Sequence, residues 1–331
     1  MIIDPTRAQG ALASLARRPS AALGHFPTPV DPARRLAAAL GLSQRLLIKR
    51  DDAISFGFGG NKVRKLRYVI ADLLAQGVNT VITCGGVQSN HARATESACA
   101  ASGLHCHIVV NGTAPAHPSG NALLNQLLGA SLEYVADRGD RNPGMTRALE
   151  RYQALGRKPA IVPLGASTPL GALGYLAAVG EMVDQGLRPD VIVHASSSGG
   201  TSAGLLAGVA LHGLATRVIG ISADDPPAAV EAAIRPIVGG MGELLGVGSE
   251  TLLNAIKVEL DDGFVGTGYG NATPASIEAQ TAAARHEAVF VDHTYSAKAL
   301  AGLIAYCRDG RIPADATVLF WHTGGQVALF A

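Results

Sequence analysis

Short β-branched runs alternate with helix-patterned stretches along nearly the whole chain, and this alternation constrains the fold more than any other feature. The runs fall at 46–50, 80–86, 105–111, 131–136, 160–165, 191–198, 217–223, 288–295 and 317–323. Helical spacing of apolar residues fills most of the gaps, at 60–77, 90–103, 145–156, 173–186, 200–213 and 296–309. Strand–helix alternation of this kind predicts an α/β fold with largely parallel sheets. Nine strands are many for one sheet, so the reading is two open, twisted α/β domains with a ligand cleft between them. The expected division gives 1–55 and 170–331 to a large domain and 56–169 to a small one. The segment 224–260 is helical in pattern and reads as an insertion or a dimer element. Forty glycines without a low-complexity tract match many tight strand-to-helix turns.

One stretch, "SFGFGGNKVRKLRY" at 55–68, passes abruptly from a glycine-rich turn to a basic helical run. With residues 60–77 as a helix ended by Gly77, Val63, Leu66, Val69, Ile70, Leu73 and Leu74 share one face. Lys62 falls within that apolar arc, whereas Arg64, Lys65 and Arg67 read as surface or edge charge. A first-turn lysine can simply extend to water. A lysine held against apolar surface also suits amine chemistry, because desolvation lowers its pKa and frees the nucleophile. Spacing alone leaves both readings open.

Two further loops carry chemical signals. "CGGVQSNHAR" (84–93) links a strand to a helix and places Ser89 and Asn90 where helix caps sit. The same helix start can bind an anion such as a carboxylate. "HASSSGGTSAGL" (194–205) is again strand, small-residue loop and helix. Its Ser196, Ser197, Ser198, Gly199, Gly200 and Thr201 let backbone N–H groups converge on a phosphate. It is neither a Walker loop nor GxGxxG, and "GFGG" at 57–60 lacks the rest of a dinucleotide fingerprint. No GxSxG elbow, HExxH motif or acidic metal cluster occurs, so no metal is called for. A phosphate cradle without a nucleotide motif, together with a buried-face lysine, points to pyridoxal 5'-phosphate. A group facing the pyridine nitrogen is then sought in "DHTYSAK" (292–298) or "WHTGGQVALF" (321–330).

Composition narrows the setting. A net charge of +1 offers no attraction for nucleic acid. Apolar residues at 48% and charged residues at 16% supply a large core and point to apolar surface covered by a second subunit. Cys84, Cys99, Cys106 and Cys307 have no CxxC spacing and read as buried free thiols of a reducing cytoplasm. No apolar run is long enough to cross a bilayer. "RAQGALASLARR" near the N-terminus has the flavour of a transit peptide but reads as an ordinary surface helix.

In this order and spacing, "KRDD", "GGNKVRKL", "QSNHAR", "LGALGY", "GYG", "YSAK" and "HTGG…ALF" resemble one pyridoxal-phosphate family. It contains D-cysteine desulfhydrase, 1-aminocyclopropane-1-carboxylate deaminase and L-cysteate sulfo-lyase, and the resemblance runs from about residue 25 to the end. It implies a tryptophan-synthase-β-like fold (fold type II) and a homodimer acting on a small amino acid. Lys62 of "GGNK" would be the Schiff-base lysine. Asn90 would bond the cofactor's phenolic oxygen, Ser89 would hold the substrate carboxylate or assist proton transfer, and His91 of the same motif would lie beside the substrate. Ser196 to Thr201 match the phosphate loop, Tyr269 and Tyr295 the two active-site tyrosines, and Thr323 the group near the pyridine nitrogen. Two departures stand out: Ser197 replaces a frequent glycine, and Thr168 of "GAST" stands where asparagine is common. The deaminases also carry a glutamate directly after the tyrosine matching Tyr295, where this chain has Ser296. The implied activity is β-elimination, with D-cysteine as leading substrate and L-cysteate next. Ring opening of the cyclopropane amino acid, and a non-catalytic ligand-binding module on the same fold, are the alternatives.

Overall fold

The computed structural model describes residues 3–331. Ten strands occur among them: β1 (Val30–Pro32), β2 (Arg45–Arg50), β3 (Thr80–Gly86), β4 (His105–Asn111), β5 (Ser131–Val135), β6 (Pro159–Ile161), β7 (Val191–Ser196), β8 (Arg217–Ser222), β9 (Leu260–Asp261) and β10 (Thr317–His322). Strands β5, β4, β3 and β6 form one sheet, entirely parallel. The other sheet runs β1-β2-β10-β7-β8-β9, parallel except for the antiparallel edge strand β1. These are two α/β domains, as the alternation required.

The helices are α1 (Pro5–Ala16), α2 (Arg34–Ala39), α3 (Asn61–Ala75), α4 (Asn90–Ala101), α5 (Gly120–Leu128), α6 (Arg141–Ala154), α7 (Pro169–Asp184), α8 (Gly200–Leu211), α9 (Pro227–Leu245), α10 (Ser249–Ala255), α11 (Pro274–Glu287) and α12 (Ser296–Arg308). Both faces of the six-stranded sheet are covered, one by α7, α8 and α9, the other by α2, α11 and α12. Strands buried on both faces read as continuous apolar runs, which is why "VIVHAS" and "TVLFWH" stood out. The four-stranded sheet packs α3 and α4 on one face and α6 on the other. No helix among the described residues is long and apolar enough to cross a membrane.

The run 288–295 is a correction. Val289 and Val291 are buried while Phe290 is exposed, the alternation expected of a strand. Its backbone joins neither sheet. The Asp292 carboxylate accepts from the N–H groups of Thr294, Tyr295 and Ser296 at 3.1, 3.0 and 2.9 Å, so the segment is the entry turn of α12. The short edge strands β1 and β9 were not read from sequence, because three and two residues show no period.

The glycine-rich turn behaves as read: Gly59 and Gly60 both have positive φ, and α3 then starts at Asn61. The surface assignment of Arg64 and Lys65 fails, for they are 2% and 1% exposed. Helix α3 is covered on two sides, by its own sheet and by α7, so a single apolar arc understates its burial. Gly174 lets the two helices meet: a side-chain carbon there would lie 2.2 Å from the Arg64 carbonyl oxygen. Arg64 reaches the Asp51 carboxylate at 2.7 and 2.9 Å and Glu181 at 2.9 and 3.0 Å. Asp51 also accepts from the Tyr175 hydroxyl (2.6 Å) and the Trp321 indole (2.8 Å). Lys49 pairs with Glu181 at 2.5 Å. Two cations thus face two anions in the interior, each charge with hydrogen bonds, the condition under which buried charge is tolerated. Burial pushes Glu181 up, but Arg64 and Lys49 outweigh it and hold it down to about 2. The cluster fixes α3 to the six-stranded sheet two residues after Lys62.

Candidate active site

Parallel sheets gather the loops after their strands at the carboxyl edge, and ligands bind there. The ends of β3, β7 and β10 lead directly into Gly86–His91, Ser196–Ser202 and Thr323–Gly325, and these segments line one cavity between the domains. Asn61, Lys62 and Lys65 of α3, together with Tyr269 and Tyr295, also line it.

Lys62 is partly exposed to this cavity. Burial, aided by the nearby Arg93 guanidinium and opposed by Asp292, lowers its ammonium pKa to about 8. Its Nζ donates to Asn61 Oδ1 at 3.0 Å, and Asn61 Nδ2 donates to Thr201 Oγ1 at 3.0 Å. A lysine with a depressed pKa is therefore hydrogen-bonded, through one asparagine, to the start of α8.

The N-terminus of α8 has no cap of its own. Gly199 precedes it in the left-handed region (φ 80°) and has no side chain to cap it; the one side-chain acceptor at its start is Ser167 Oγ, 3.3 Å from Gly200 N. By contrast Ser89 caps α4 through Ala92 N at 3.1 Å, and Thr168 caps α7 through Gly171 N at 3.0 Å. An uncapped twelve-residue helix preceded by small residues is a ready anion site. The cradle is tight: a side-chain carbon at Gly200 would lie 2.7 Å from Ser167 Oγ and 2.9 Å from Ser167 Cα. Ser167 also shares a 2.8 Å hydrogen bond with Ser198 and accepts from Lys65 Nζ at 3.3 Å. The Ser196 hydroxyl is bonded to Ser202 at 2.7 Å.

Asn90 Oδ1 accepts from Asn121 Nδ2 at 2.8 Å, while Arg93 Nε holds Asn121 Oδ1 at 3.1 Å. Arg93 also donates to the carbonyls of Gly57 and Gly59, tying the glycine turn before Lys62 to α4. His91 lines the cavity, but both ring nitrogens face threonines, Thr83 at 2.8 Å and Thr95 at 3.4 Å. Thr83 Oγ1 already donates to Val162 O at 2.8 Å, so His91 Nε2 must be the donor to it. Burial, with Lys62 and Lys65 nearby, keeps this imidazole well below its ordinary pKa and neutral.

The tyrosine hydroxyls of Tyr269 and Tyr295 bond to each other. Burial raises both above the usual phenol value, Tyr295 strongly. Thr323 lines the cavity, while the Ser296 hydroxyl donates to Asp292 Oδ1 at 2.6 Å. Of the residues singled out from sequence, Lys62, Ser89, Asn90, His91, Ser196, Ser197, Ser198, Gly199, Thr201, Tyr269, Tyr295 and Thr323 line this one cavity; Gly200 does not, and packs against Ser167 between two that do. Thr168 does not line it; its neighbour Ser167 makes the loop contact instead. Missed from sequence were Asn61, Lys65, Asn121, Arg138, Arg141 and Ser167. Only Asn61 and Lys65, flanking Lys62 in the quoted stretch, carried a local signal.

Pyridoxal phosphate requires an amine of lowered pKa, a phosphate cradle and a polar neighbour for the ring. Lys62, the α8 start with Ser167 and Ser198, and Thr323 meet these three needs. The comparisons agree. The family model for pyridoxal-phosphate-dependent enzymes matches residues 21–324. The 1-aminocyclopropane-1-carboxylate deaminase of Burkholderia ambifaria (strain MC40-6) is 38% identical, covering 96% of this chain and 97% of its own. The deaminase of the same name from Methylobacterium nodulans is 35% identical, covering 92% of this chain and 93% of its own. A crystal structure of an ACC deaminase homologue superposes with a TM-score of 0.88 at 32% identity, covering 97% and 96%. Tomato threonine deaminase, at 18% identity and a TM-score of 0.71, shares the fold. The chain belongs to the pyridoxal-phosphate-dependent enzyme family, of the deaminase and desulfhydrase type with two α/β domains.

Proposed function

We propose that this enzyme is a lyase that eliminates a β-substituent from a small amino acid, giving pyruvate and ammonia, and that it does not open cyclopropane rings. D-cysteine, releasing sulfide, is the uncharged-substituent candidate, and L-cysteate is the anionic one. The observation that carries this reading is the pair Ser296 and Thr323. Ser296, next to Tyr295, is fully buried and spends its hydroxyl on Asp292, so no carboxylate enters the cavity from that position. Asp292 itself is occupied by three backbone N–H groups and that hydroxyl. The segment directly after β10 lines the cavity with Thr323, Gly324 and Gly325, of which only Thr323 has a polar side chain.

Bound pyridoxal phosphate supplies an electron sink for charge developing at the substrate's α-carbon. A hydroxyl neighbour leaves that sink weaker than a carboxylate does. Elimination tolerates this, because the departing group carries the charge away; ring opening has no such outlet. Lys62 Nζ, with its ammonium destabilised, takes and returns a proton near neutral pH. In this reading Ser89 and the start of α4 hold the substrate carboxylate, and Tyr295, hydrogen-bonded to Tyr269, gives the leaving group its proton. The names of the deaminase relatives favour ring opening as the second reading. A panel of D- and L-cysteine, D-serine, L-cysteate and the cyclopropane amino acid, assayed for pyruvate and for 2-oxobutyrate, decides between them. Pyruvate from a β-substituted alanine supports elimination, and efficient 2-oxobutyrate release from the cyclopropane compound overturns it.

A further inference from the structure

The cavity holds more positive charge than the cofactor phosphate and one substrate carboxylate use. Lys62, Lys65, Arg138 and Arg141 line it, against Asp224 and Asp225. Lys62 serves the chemistry, and Lys65 is bound to the Gly165 carbonyl at 3.0 Å. Arg138 pairs with Asp224 at 2.5 Å and lies 4.9 Å from the Tyr269 ring centre.

Arg141 is different. It is the first residue of α6, where the helix dipole adds positive potential. Its Nε donates to Asn111 Oδ1 at 2.8 Å, and its Nη2 donates to the same oxygen. Asn111, at the end of β4, is neutral, and among the described residues Arg141 has no carboxylate partner. A side-chain carbon at Gly86 would lie 4.0 Å from Arg141 Nη2. The guanidinium therefore stands over the carboxyl end of β3, beside the loop that carries Ser89. Arg141 lines the same cavity as both tyrosines. A half-buried guanidinium aimed by a neutral amide is an open anion site with fork geometry.

We propose that Arg141, with Arg138 beside it, is a subsite for a negatively charged β-substituent, so that the preferred substrates are alanines carrying an oxyanion group at Cβ. This rests on the elimination reading above. For the sulfonate, the α-proton leaves, the Cβ–S bond breaks with its electron pair going to sulfite, and one water completes the products. C3H7NO5S plus H2O gives pyruvic acid, ammonia and sulfurous acid, with no net oxidation or reduction.

The test uses holoenzyme, wild type and Arg141→Gln, with both enantiomers of 3-sulfoalanine and of the uncharged 3-chloroalanine. The ratio of kcat/KM for the sulfonate over the chloride should fall about 10- to 100-fold in the variant, the range for a lost charge-assisted hydrogen bond. Arg141→Lys should restore part of that ratio. A second arm needs no turnover: calorimetry of wild type with 3-sulfopropanoate against propanoate. The sulfonate should bind at least about tenfold tighter, an advantage that Arg141→Gln removes. A uniform loss for both substrates and both ligands overturns the proposal, since it would make Arg141 a site for the shared carboxylate. No wild-type preference for the sulfonate in calorimetry overturns it as well. Absence of pyruvate from every substrate refutes elimination instead, and calorimetry still decides the subsite.

Discussion

At the scale of single residues, two cations two positions apart in the sequence, Lys62 and Arg64, do different work. Lys62 has its ammonium destabilised by burial, to about 8 against an ordinary 10.5. In the protein freed of cofactor, the folded state then binds fewer protons than the unfolded state between about pH 8 and 10.5. Stability should rise with pH across that window, and Lys62→Met should flatten the rise. Urea titrations at several pH values check this; equal slopes in both proteins would contradict it. With cofactor supplied, the same variant should lose more than about 10²-fold in turnover, the lower bound for a positioned proton-transfer group. Arg64 is structural. Arg64→Met leaves Asp51 buried with a charge and should cost about 3–5 kcal/mol. Chemical denaturation measures that loss, and a cost under about 1 kcal/mol would show that Tyr175 and Trp321 suffice for Asp51. Spacing could single out Lys62 because its neighbours in the wheel are apolar. It could not reveal Arg64 or Lys65, because their partners sit on other elements: Asp51 after β2, and Glu181 and Gly165 at least 100 residues along the chain.

Among elements, three helix starts build the site, and their caps tell them apart. Helices α4 and α7 are closed by Ser89 and Thr168, whereas α8 has no cap of its own. The loop "SSSGGT" was legible because small residues before an apolar helix have few other uses. The role of Ser167 was not legible, since it depends on α7's approach to α8 in space. A pair of variants separates cap from cradle. Thr168→Ala should cost about 0.5–2 kcal/mol of stability as a lost cap and leave cofactor retention intact. Ser167→Ala should weaken cofactor retention on dialysis. The opposite pattern would return the role to Thr168. The turn before α12 shows the limit of pattern reading: 288–295 has strand periodicity, yet Asp292 collects its backbone N–H groups and no strand forms.

Across the whole molecule, two parallel sheets set their carboxyl edges toward a common cleft, and the buried Asp51–Arg64–Glu181 cluster locks the lysine-bearing helix to the larger sheet. The alternation of strands and helices made this architecture readable, and seven motifs in order made the family readable. The packing of Arg141 against Asn111 was not, because it joins the start of α6 to the end of β4. We propose that a cavity with Thr323 in its lining, and with Ser296 turned onto Asp292, performs elimination and not ring opening. One competition measures it most directly: D-cysteine, L-cysteate and the cyclopropane amino acid at equal concentration in one vessel, with pyruvate and 2-oxobutyrate quantified together. Pyruvate should form in at least about tenfold excess, about 1.4 kcal/mol of discrimination between transition states. An excess of 2-oxobutyrate would contradict it.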